Sequence, residues 1–280
     1  MRVCASPRAG SGCVPEGDTV WLAGHNLRRA LAGERLVRSD FRVPRYATTD
    51  LSGRKVLDVA SRGKHLLWRL EKGLTLHTHF KMDGTWHLYR RGQRWRSPAF
   101  EARVVLETER WQAVGFRLPV LDLIATKRED EVVGHLGPDL LGDDWDADEA
   151  TARLEARSGM AIGEALLDQT VMAGVGNVYR CELCFLRGLD PWTPVSEVPD
   201  RRGVIDLAKR LLELNRHSAR HVTTGVDRPG RTHWVYGRQG MPCRRCGSAV
   251  RKPDQPSYGS ERIVFWCPSC QPSQERKGAS

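Results

Sequence analysis

The change from strand-like to helical spacing of apolar residues in the middle of this 280-residue chain limits the fold more than any other feature does. Between residues 35 and 125, short apolar runs such as residues 102–106 alternate with Gly, Asp and Arg turns, which is typical of antiparallel strands. From residue 147 to about 222, apolar residues recur at helical spacing. The sequence therefore predicts an α+β protein, in which an N-terminal antiparallel β-sandwich with flanking helices precedes a helical domain.

The predicted helices fall into two groups. The first helix begins at Asp18-Thr19, and Gly33 follows its last apolar residue. An acidic linker over residues 142–149 precedes the second group. We expect the four helices of that group at residues 150–156, 162–170, 178–186 and 204–221.

The chain carries an excess of positive charge. Lys and Arg number 44 against 34 Asp and Glu, which gives a net charge of +10 and a pI near 9.5. This balance favours a polyanionic partner, although an ordinary basic soluble protein would have the same charge. No apolar run approaches about 18 residues, so we predict no membrane span. Residues 1–14 lack the apolar core of a secretory signal, so we expect a cytoplasmic protein with reduced thiols.

Two Cys-x-x-Cys pairs near the carboxyl end are the strongest metal signal in the chain. Cys243 and Cys246 form one pair, and Cys267 and Cys270 form the other. A tight turn can aim both thiolates of a pair at one ion, so two pairs close a tetrahedral zinc site that has a structural role. Four unrelated core cysteines are the alternative. The neighbouring basic residues that suit phosphate contacts are Arg244, Arg245, Arg251, Lys252 and Arg262.

A third Cys-x-x-Cys, formed by Cys181 and Cys184, receives a different interpretation. Its two cysteines lie within a predicted helix and share one face of it. No second pair lies nearby in the sequence. We therefore interpret them as core residues and not as metal ligands.

A glycine-containing turn separates two predicted helices. Gly174 and Gly176 permit a tight turn, and Asn177 suits the N-cap position of the helix that follows. Unpaired backbone N–H groups at such a helix start form an anion site. A helix–two-turn–helix of this kind can grip a DNA backbone, whereas an ordinary helix hairpin is the alternative on this motif alone.

Several motifs occur in an order that points to one family. They are Pro15-Glu16-Gly17-Asp18-Thr19, Ser61-Arg62-Gly63-Lys64, Ala173-Gly174-Val175-Gly176-Asn177, Tyr236-Gly237-Arg238-Gln239-Gly240, and Arg262 five residues before Cys267. From Pro15 to about Gln271, the chain resembles the formamidopyrimidine-DNA glycosylase / endonuclease VIII family, and most closely its actinobacterial endonuclease VIII-type (second type) members. The resemblance implies a helix–two-turn–helix domain that carries a small zinc-finger β-hairpin. It also implies a bifunctional base-excision repair enzyme that removes oxidised bases, chiefly pyrimidines, and then cuts the strand by β,δ-elimination.

The resemblance assigns catalytic roles to four residues. The amine of Pro15 would attack the sugar C1′ and form a Schiff base, and Glu16 would protonate the ribose ring oxygen. Lys64 would bind lesion phosphates and assist β-elimination. Arg262 would grip phosphate and assist δ-elimination. Without the resemblance, Glu16 would be a first-turn helix acid and Lys64 a solvated lysine at a strand end.

DNA-contacting residues follow from the same resemblance. The loop over residues 79–84 corresponds to the void-filling loop, with Met82 as the apolar wedge and Lys81 as a polar contact. Gly176 and Asn177 would bind the DNA backbone. His135 stands where endonuclease VIII has a DNA-contacting Arg, so this contact departs from the family pattern. The lesion-reading loop is expected near residues 223–231.

The resemblance also sets the expected domains and partners. The domains are a leader over 1–14, a catalytic β-sandwich over 15–130, a linker over 131–150, a helix–two-turn–helix domain over 151–235, a Cys4 zinc finger over 236–273 and a disordered tail over 274–280. One structural zinc ion is the expected cofactor. The expected partner is damaged DNA, duplex or single-stranded, bound by a monomer that is associated with the nucleoid.

The leader conflicts with the implied chemistry. The nitrogen of an internal Pro15 is an amide, whose delocalised lone pair cannot attack a sugar. We expect that translation starts at a GUG codon at Val14, that its Met is removed, and that residues 1–14 are absent from the native protein. The alternative is a real extension, which would make the chain a non-catalytic binder of DNA damage or DNA structure.

Overall fold

The computed structural model describes residues 14–252 and 263–273. The chain divides into two compact units between His135 and Leu136, which lies within the predicted linker. Residues 1–13 of the predicted leader and the predicted tail over 274–280 lie outside the described residues. None of the helices described has the length and apolar character needed to cross a bilayer.

The first unit contains two four-stranded antiparallel sheets, which confirms the predicted β-sandwich. One sheet has the strand order β1-β6-β7-β5, and the other has the order β2-β3-β4-β8. The strands are β1 (Arg38–Phe41), β2 (Val56–Arg62), β3 (His65–Leu70), β4 (Leu74–His79), β5 (Thr85–Arg90), β6 (Ala102–Glu107), β7 (Trp111–Phe116) and β8 (Val120–Ala125). The helices are α1 (Gly17–Leu31), α2 (Asp130–Val133) and 3-10 turns at Pro44–Tyr46, Ala99–Glu101 and Thr126–Arg128.

The core of this unit joins the two sheets and α1. Trp68 of β3 and Trp86 of β5 are buried, and their ring centroids lie 4.7 Å apart. The Trp86 indole N–H donates to Thr78 Oγ1 of β4 at 3.2 Å, so its polar group is satisfied inside the core. A Cβ added to Gly24 of α1 would lie 2.9 Å from the side chain of Leu66. This close approach fixes α1 against the β2–β3 hairpin.

The second unit is helical. Its helices are α3 (Ala147–Glu155), α4 (Ile162–Ala165), α5 (Asn177–Arg187) and α6 (Arg201–Asn215), with a 3-10 turn at Val195–Glu197. Their apolar faces share one core, which includes Leu154, Ile162, Leu183 and Ile205. The antiparallel bridges of Pro242 with Ala249 and of Arg251 with Trp266 begin the small Cys-rich module.

Two helices end earlier than the sequence predicted. Helix α4 ends at Ala165 and not at residue 170, because Asp168 turns the chain by accepting from the Thr170 N–H at 2.9 Å. Helix α6 ends at Asn215 and not at residue 221. The Asn215 side chain bonds both backbone groups of Val222, which folds the chain back at this point.

Candidate functional site

The start of α1 carries the Pro15-Glu16 pair. Pro15 and Glu16 are buried, and Glu16 is the N-cap residue in an extended conformation. The Glu16 carbonyl accepts the Val20 N–H at 3.0 Å, which opens the helix. The close packing at Gly24 fixes the direction of the helix. Pro15 and Glu16 therefore lie at the end of a helix whose position the sheet determines.

Lys64 lies at the tip of the β2–β3 hairpin. Arg62 pairs with His65 in the ladder, so Gly63 and Lys64 alone form the connection. Gly63 has φ of +55°, a left-handed conformation that favours glycine. The hairpin that carries Lys64 is the same one on which α1 packs, so the structure places Lys64, Pro15 and Glu16 on two elements in direct contact.

A histidine cluster lies next to this hairpin tip. His65 and His79 are paired across β3 and β4, and their ring centroids lie 4.6 Å apart. His65 Nδ1 is 2.8 Å from His77 Nε2, and the ring of His135 lies 6.5 Å from that of His65. Of these four residues, His135 was predicted as a DNA contact, and His79 was predicted only as the first residue of the void-filling loop. The alternate spacing of His77 and His79 on one strand was the available signal.

Burial sets the charge of this cluster. It lowers the pKa of His65 to about 3, and neighbouring histidines and Lys81 act in the same direction. Burial also lowers the pKa of His79 to about 3, with further lowering by Lys81 and Lys64. Both imidazoles are therefore neutral at neutral pH. The two lysines lie near enough to act on His79, which places Lys64 and Lys81 in one electropositive region.

The loop that follows β4 connects the two sheets. Phe80 is buried in the core, and its carbonyl accepts the Gly84 N–H at 2.8 Å. Lys81 is exposed, has φ of +48°, and donates its backbone N–H to His79 Nδ1 at 2.9 Å. Met82 is half-buried. The loop is thus anchored at Phe80 and His79, while Lys81 and Met82 form its accessible part.

The glycine turn of the second unit differs from the prediction in one respect. Gly176, with extended backbone, is the N-cap of α5, and Asn177 is the first helical residue. The prediction of Asn177 as the N-cap is therefore wrong. The Asn177 side chain instead donates to the Ile263 carbonyl at 3.0 Å and accepts from Arg180. Because its side chain bonds Ile263 and Arg180, Asn177 does not cap the helix.

Arg180 was not among the residues predicted from the sequence. Its guanidinium is buried and donates to the Ile263 carbonyl at 3.0 Å as well as to Asn177. The Phe265 N–H donates to Cys181 Sγ at 3.4 Å. Helix α5 thus holds the segment 263–265 in place. The predicted catalytic Arg262 itself lies outside the described residues.

The four cysteines of the two pairs converge. Their Sγ atoms all lie within 4.8 Å of one another, with 3.9 Å between Cys243 and Cys270 and 3.4 Å between Cys246 and Cys267. Tetrahedral zinc with bonds of about 2.3 Å would space the sulfurs by about 3.8 Å. The cluster can therefore hold a metal ion. The Cys267 N–H donates to Gln271 Oε1 at 2.9 Å, which braces the second turn.

The other Cys-x-x-Cys belongs to the core, as predicted. Cys181 and Cys184 are fully buried. Burial raises the pKa of the Cys181 thiol and raises that of Cys184 to about 12. Neither residue belongs to the metal-binding group found among the described residues. Both thiols therefore remain protonated and unreactive.

Two of the basic residues expected to face phosphates contact the protein instead. Arg244 Nε donates to the His233 carbonyl at 2.9 Å, and its Nη2 donates to the Gly230 carbonyl at 2.5 Å. The Arg245 guanidinium lies 4.5 Å from the ring centroid of Phe185. These contacts fix the first cysteine turn against the segment that precedes it.

Comparison with protein families gives two matches. The formamidopyrimidine-DNA glycosylase N-terminal domain matches residues 14–119. The formamidopyrimidine-DNA glycosylase H2TH domain matches residues 136–214. The two matches lie on either side of the division between the units.

Curated relatives and solved structures agree with these matches. "Probable endonuclease 8 2" of Streptomyces coelicolor is 56% identical over 261 residues, covering 92% of this chain and 94% of its own. "DNA-(apurinic or apyrimidinic site) lyase Nei2" of Mycolicibacterium smegmatis is 46% identical, covering 92% and 99%. The structure of Lactococcus lactis formamidopyrimidine-DNA glycosylase bound non-covalently to DNA with an AP site aligns with a TM-score of 0.76 at 21% identity, covering 92% and 100%.

Proposed function

The chain belongs to the formamidopyrimidine-DNA glycosylase / endonuclease VIII family, and from this premise we propose that it is a base-excision repair enzyme with DNA glycosylase and abasic-site lyase activities. The observation that carries the proposal is the start of α1. There, Pro15 directly precedes the buried Glu16, on a helix packed against the hairpin that ends in Lys64. The names of the relatives, endonuclease 8 2 and abasic-site lyase, support the same activities.

In the proposed reaction, Pro15 is the nucleophile. An α-amino group titrates near pH 8, so a useful fraction is unprotonated at neutral pH. Its lone pair forms the bond to C1′ while the bond from C1′ to the damaged base breaks, and the base leaves with that electron pair. Opening of the sugar then gives a cationic iminium. A base then removes a C2′ proton, the electron pair of that C–H bond moves towards the iminium, and the 3′ phosphate is expelled with the electron pair of its bond to C3′. A second elimination expels the 5′ phosphate.

Glu16 and Lys64 assist these steps. The carboxylic acid of Glu16 donates a proton to the ribose ring oxygen as the ring opens, which is general acid catalysis. Glu16 is fully buried at the start of α1, directly after Pro15. Lys64 binds the phosphates next to the lesion and assists β-elimination. Arg262 is proposed for phosphate binding and δ-elimination on the resemblance alone.

The remaining predicted residues serve DNA binding. Met82 fills the space that the extruded base leaves, and Lys81 and His135 contact the backbone near it. Gly176 and Asn177 lie at the start of α5, where backbone N–H groups favour a phosphate. We propose that the substrate is DNA with oxidised pyrimidines, duplex or single-stranded, and that the protein acts as a monomer.

We propose zinc as the metal of the cysteine cluster. The sulfur spacing fits a tetrahedral thiolate site, and four thiolates suit zinc. Cys243, Cys246, Cys267 and Cys270 would hold the ion. A zinc ion with four protein ligands has no open position, so it would stabilise the module and take no part in the reaction.

Borohydride trapping tests the function directly. Two proteins are compared on duplex DNA with an abasic site: one that begins at Pro15 and the chain of residues 1–280. We expect a covalent adduct at Pro15 in the first protein and none in the second, because an amide nitrogen cannot form the iminium. The first protein with its amine acetylated is the matched control and should also give no adduct.

The same experiment decides between the enzyme and its alternative. A non-catalytic binder would bind the abasic duplex tightly in a salt-dependent manner. Tight binding by the protein that begins at Pro15, with no adduct and no strand cleavage, would contradict the proposed function. The intact mass of the natively produced protein reports separately whether it begins at Pro15, as we propose.

A further inference from the structure

A buried carboxylate on α5 closes the segment over residues 223–234, which we call the anchored loop. Glu182 is fully buried and accepts the Trp234 N–H at 2.8 Å. It also accepts the N–H groups of Val235 and Tyr236, each at 2.9 Å, and the hydroxyl of Thr223. One side chain on α5 thus holds the start of the loop and the chain just beyond its end. Hydrogen bonds to a buried carboxylate are strong and hold their geometry.

The tip of the anchored loop is exposed but not loose. Residues 225–230 are exposed, and the glycines that bound them, Gly225 and Gly230, have φ of +76° and +74°. At the base of the loop, the Thr223 N–H donates to the Thr232 carbonyl at 2.9 Å. At the far end of the tip, the Gly230 carbonyl accepts from Arg244. The tip is therefore held at both ends.

The hydrogen bond to the Gly230 carbonyl comes from Arg244, in the turn between Cys243 and Cys246. Arg244 lies between Cys243 and Cys246 and forms two bonds, one to Gly230 and one to His233. A planar guanidinium can make both bonds at once, which a lysine cannot do with the same geometry. The next residue, Arg245, lies over the rings of Phe185 and Trp234. The direction of the turn is thus fixed on its other side as well.

From these contacts we infer that Arg244 is a positioning residue for base selection: it holds in one conformation the anchored loop, which contains the segment expected to read the lesion, residues 223–231. The inference rests on the proposed function. A loop that is already ordered binds without the entropic cost of ordering. The Nε and Nη2 groups of Arg244 donate to the His233 and Gly230 carbonyls of the loop. Arg244 therefore acts through the loop and not on the reacting atoms. An abasic site has no base to select, so cleavage there does not need the loop.

Two substrates separate this role from general DNA binding. Single-turnover rates are measured on one duplex with 5-hydroxyuracil and on the same duplex with an abasic site. Arg244→Ala should slow release of 5-hydroxyuracil by roughly tenfold to a hundredfold, since small misplacements of a contacting group have effects of this size. Cleavage of the abasic site should stay within about twofold. Arg210→Ala, which removes an exposed arginine of α6, is the charge-matched control.

Hydrogen exchange gives a readout that is independent of activity. The backbone amides of residues 225–231 should exchange faster in Arg244→Ala, with unchanged exchange across α5. Arg244→Lys should share both effects, because it keeps the charge but loses the two-bond fork. Equal slowing on both substrates, or normal release of 5-hydroxyuracil, would overturn the inference. All variants are made in the protein that begins at Pro15, and if that protein without further substitution cleaves neither substrate, the proposed function fails instead.

Discussion

Neutral imidazoles set the electrostatics around Lys64. His65 and His79 are buried beside each other, and protonation of either would place a charge in a low-dielectric region near Lys64 and Lys81. The folded protein therefore binds fewer protons at these rings than the unfolded chain does. In the proposed phosphate contact, the positive charge would therefore come from the lysines and not from His65 or His79.

A loss of stability in acid follows from these residues. The pKa of His79 is about 3 in the folded protein and near 6.5 in an unfolded chain. The contribution of neutral His79 to the free energy of unfolding is therefore fully present above pH 6.5 and is lost as the pH falls towards 3. The free energy of unfolding should be lower at pH 5 than at pH 7.5, with roughly 1–2 kcal/mol of the difference due to His79.

Urea unfolding at the two pH values measures this effect. His79→Gln should reduce the difference, since glutamine does not titrate but its carbonyl can still accept the Lys81 N–H. An unchanged difference in this variant would show that His79 does not carry the effect.

Residue roles that depend on distant partners could not be predicted from the sequence. The Pro15-Glu16 pair and the two cysteine pairs are local motifs, and the structure brings the four thiols together as expected. Asn177 has a capping side chain, yet its partner Ile263 lies far along the chain. Arg180 gave no local signal at all, since a helical arginine is ordinarily a solvated residue.

At the scale of elements, turns carry the proposed functions and the sheets position them. Lys64 occupies a hairpin turn, Met82 a connection between sheets, and Gly176 the turn before α5. Strand and helix patterns were therefore sufficient to predict the α+β architecture. Helix ends were not, because the side chains of Asp168 and Asn215 decide them through local bonds that periodicity does not reveal.

The loop between β4 and β5 allows a test of the wedge. Met82→Ala shortens the accessible apolar side chain while the anchors at Phe80 and His79 remain. Excision of 5-hydroxyuracil from a duplex should fall by about tenfold, because the cost of unstacking a base is a few kcal/mol and the wedge offsets part of it. Excision from a single-stranded oligonucleotide should change much less.

A second methionine provides the control for this loop. Met241 is 51% exposed in the other unit, so Met241→Ala removes a similar side chain without changing the loop. Similar losses on duplex and single-stranded substrates in Met82→Ala would contradict the role of a wedge.

On the scale of the whole molecule, the protein has two units with separate hydrophobic cores. One core joins α1 to the two sheets, and another joins helices α3 to α6. The cysteine module has a cluster of its own, in which Phe185 of α5 packs with Val235, Cys243 and Cys267. The energetic consequences of metal binding should therefore concentrate in the second unit. The two-domain organisation was predictable because each core has its own periodicity in the sequence.

Metal removal tests this organisation. A four-thiolate zinc site contributes directly to folding, so chelation should lower the unfolding temperature of the second unit while that of the β-sandwich stays within a few degrees. Calorimetry should then show two separated transitions, and metal analysis should show the loss of one zinc ion per chain.

Cys246→Ser should reproduce this state without chelator, because it removes one ligand. Cys184→Ser, which alters a buried cysteine outside the cluster, should keep one zinc ion. Full zinc content in Cys246→Ser, or equal destabilisation of both units by chelation, would contradict this assignment.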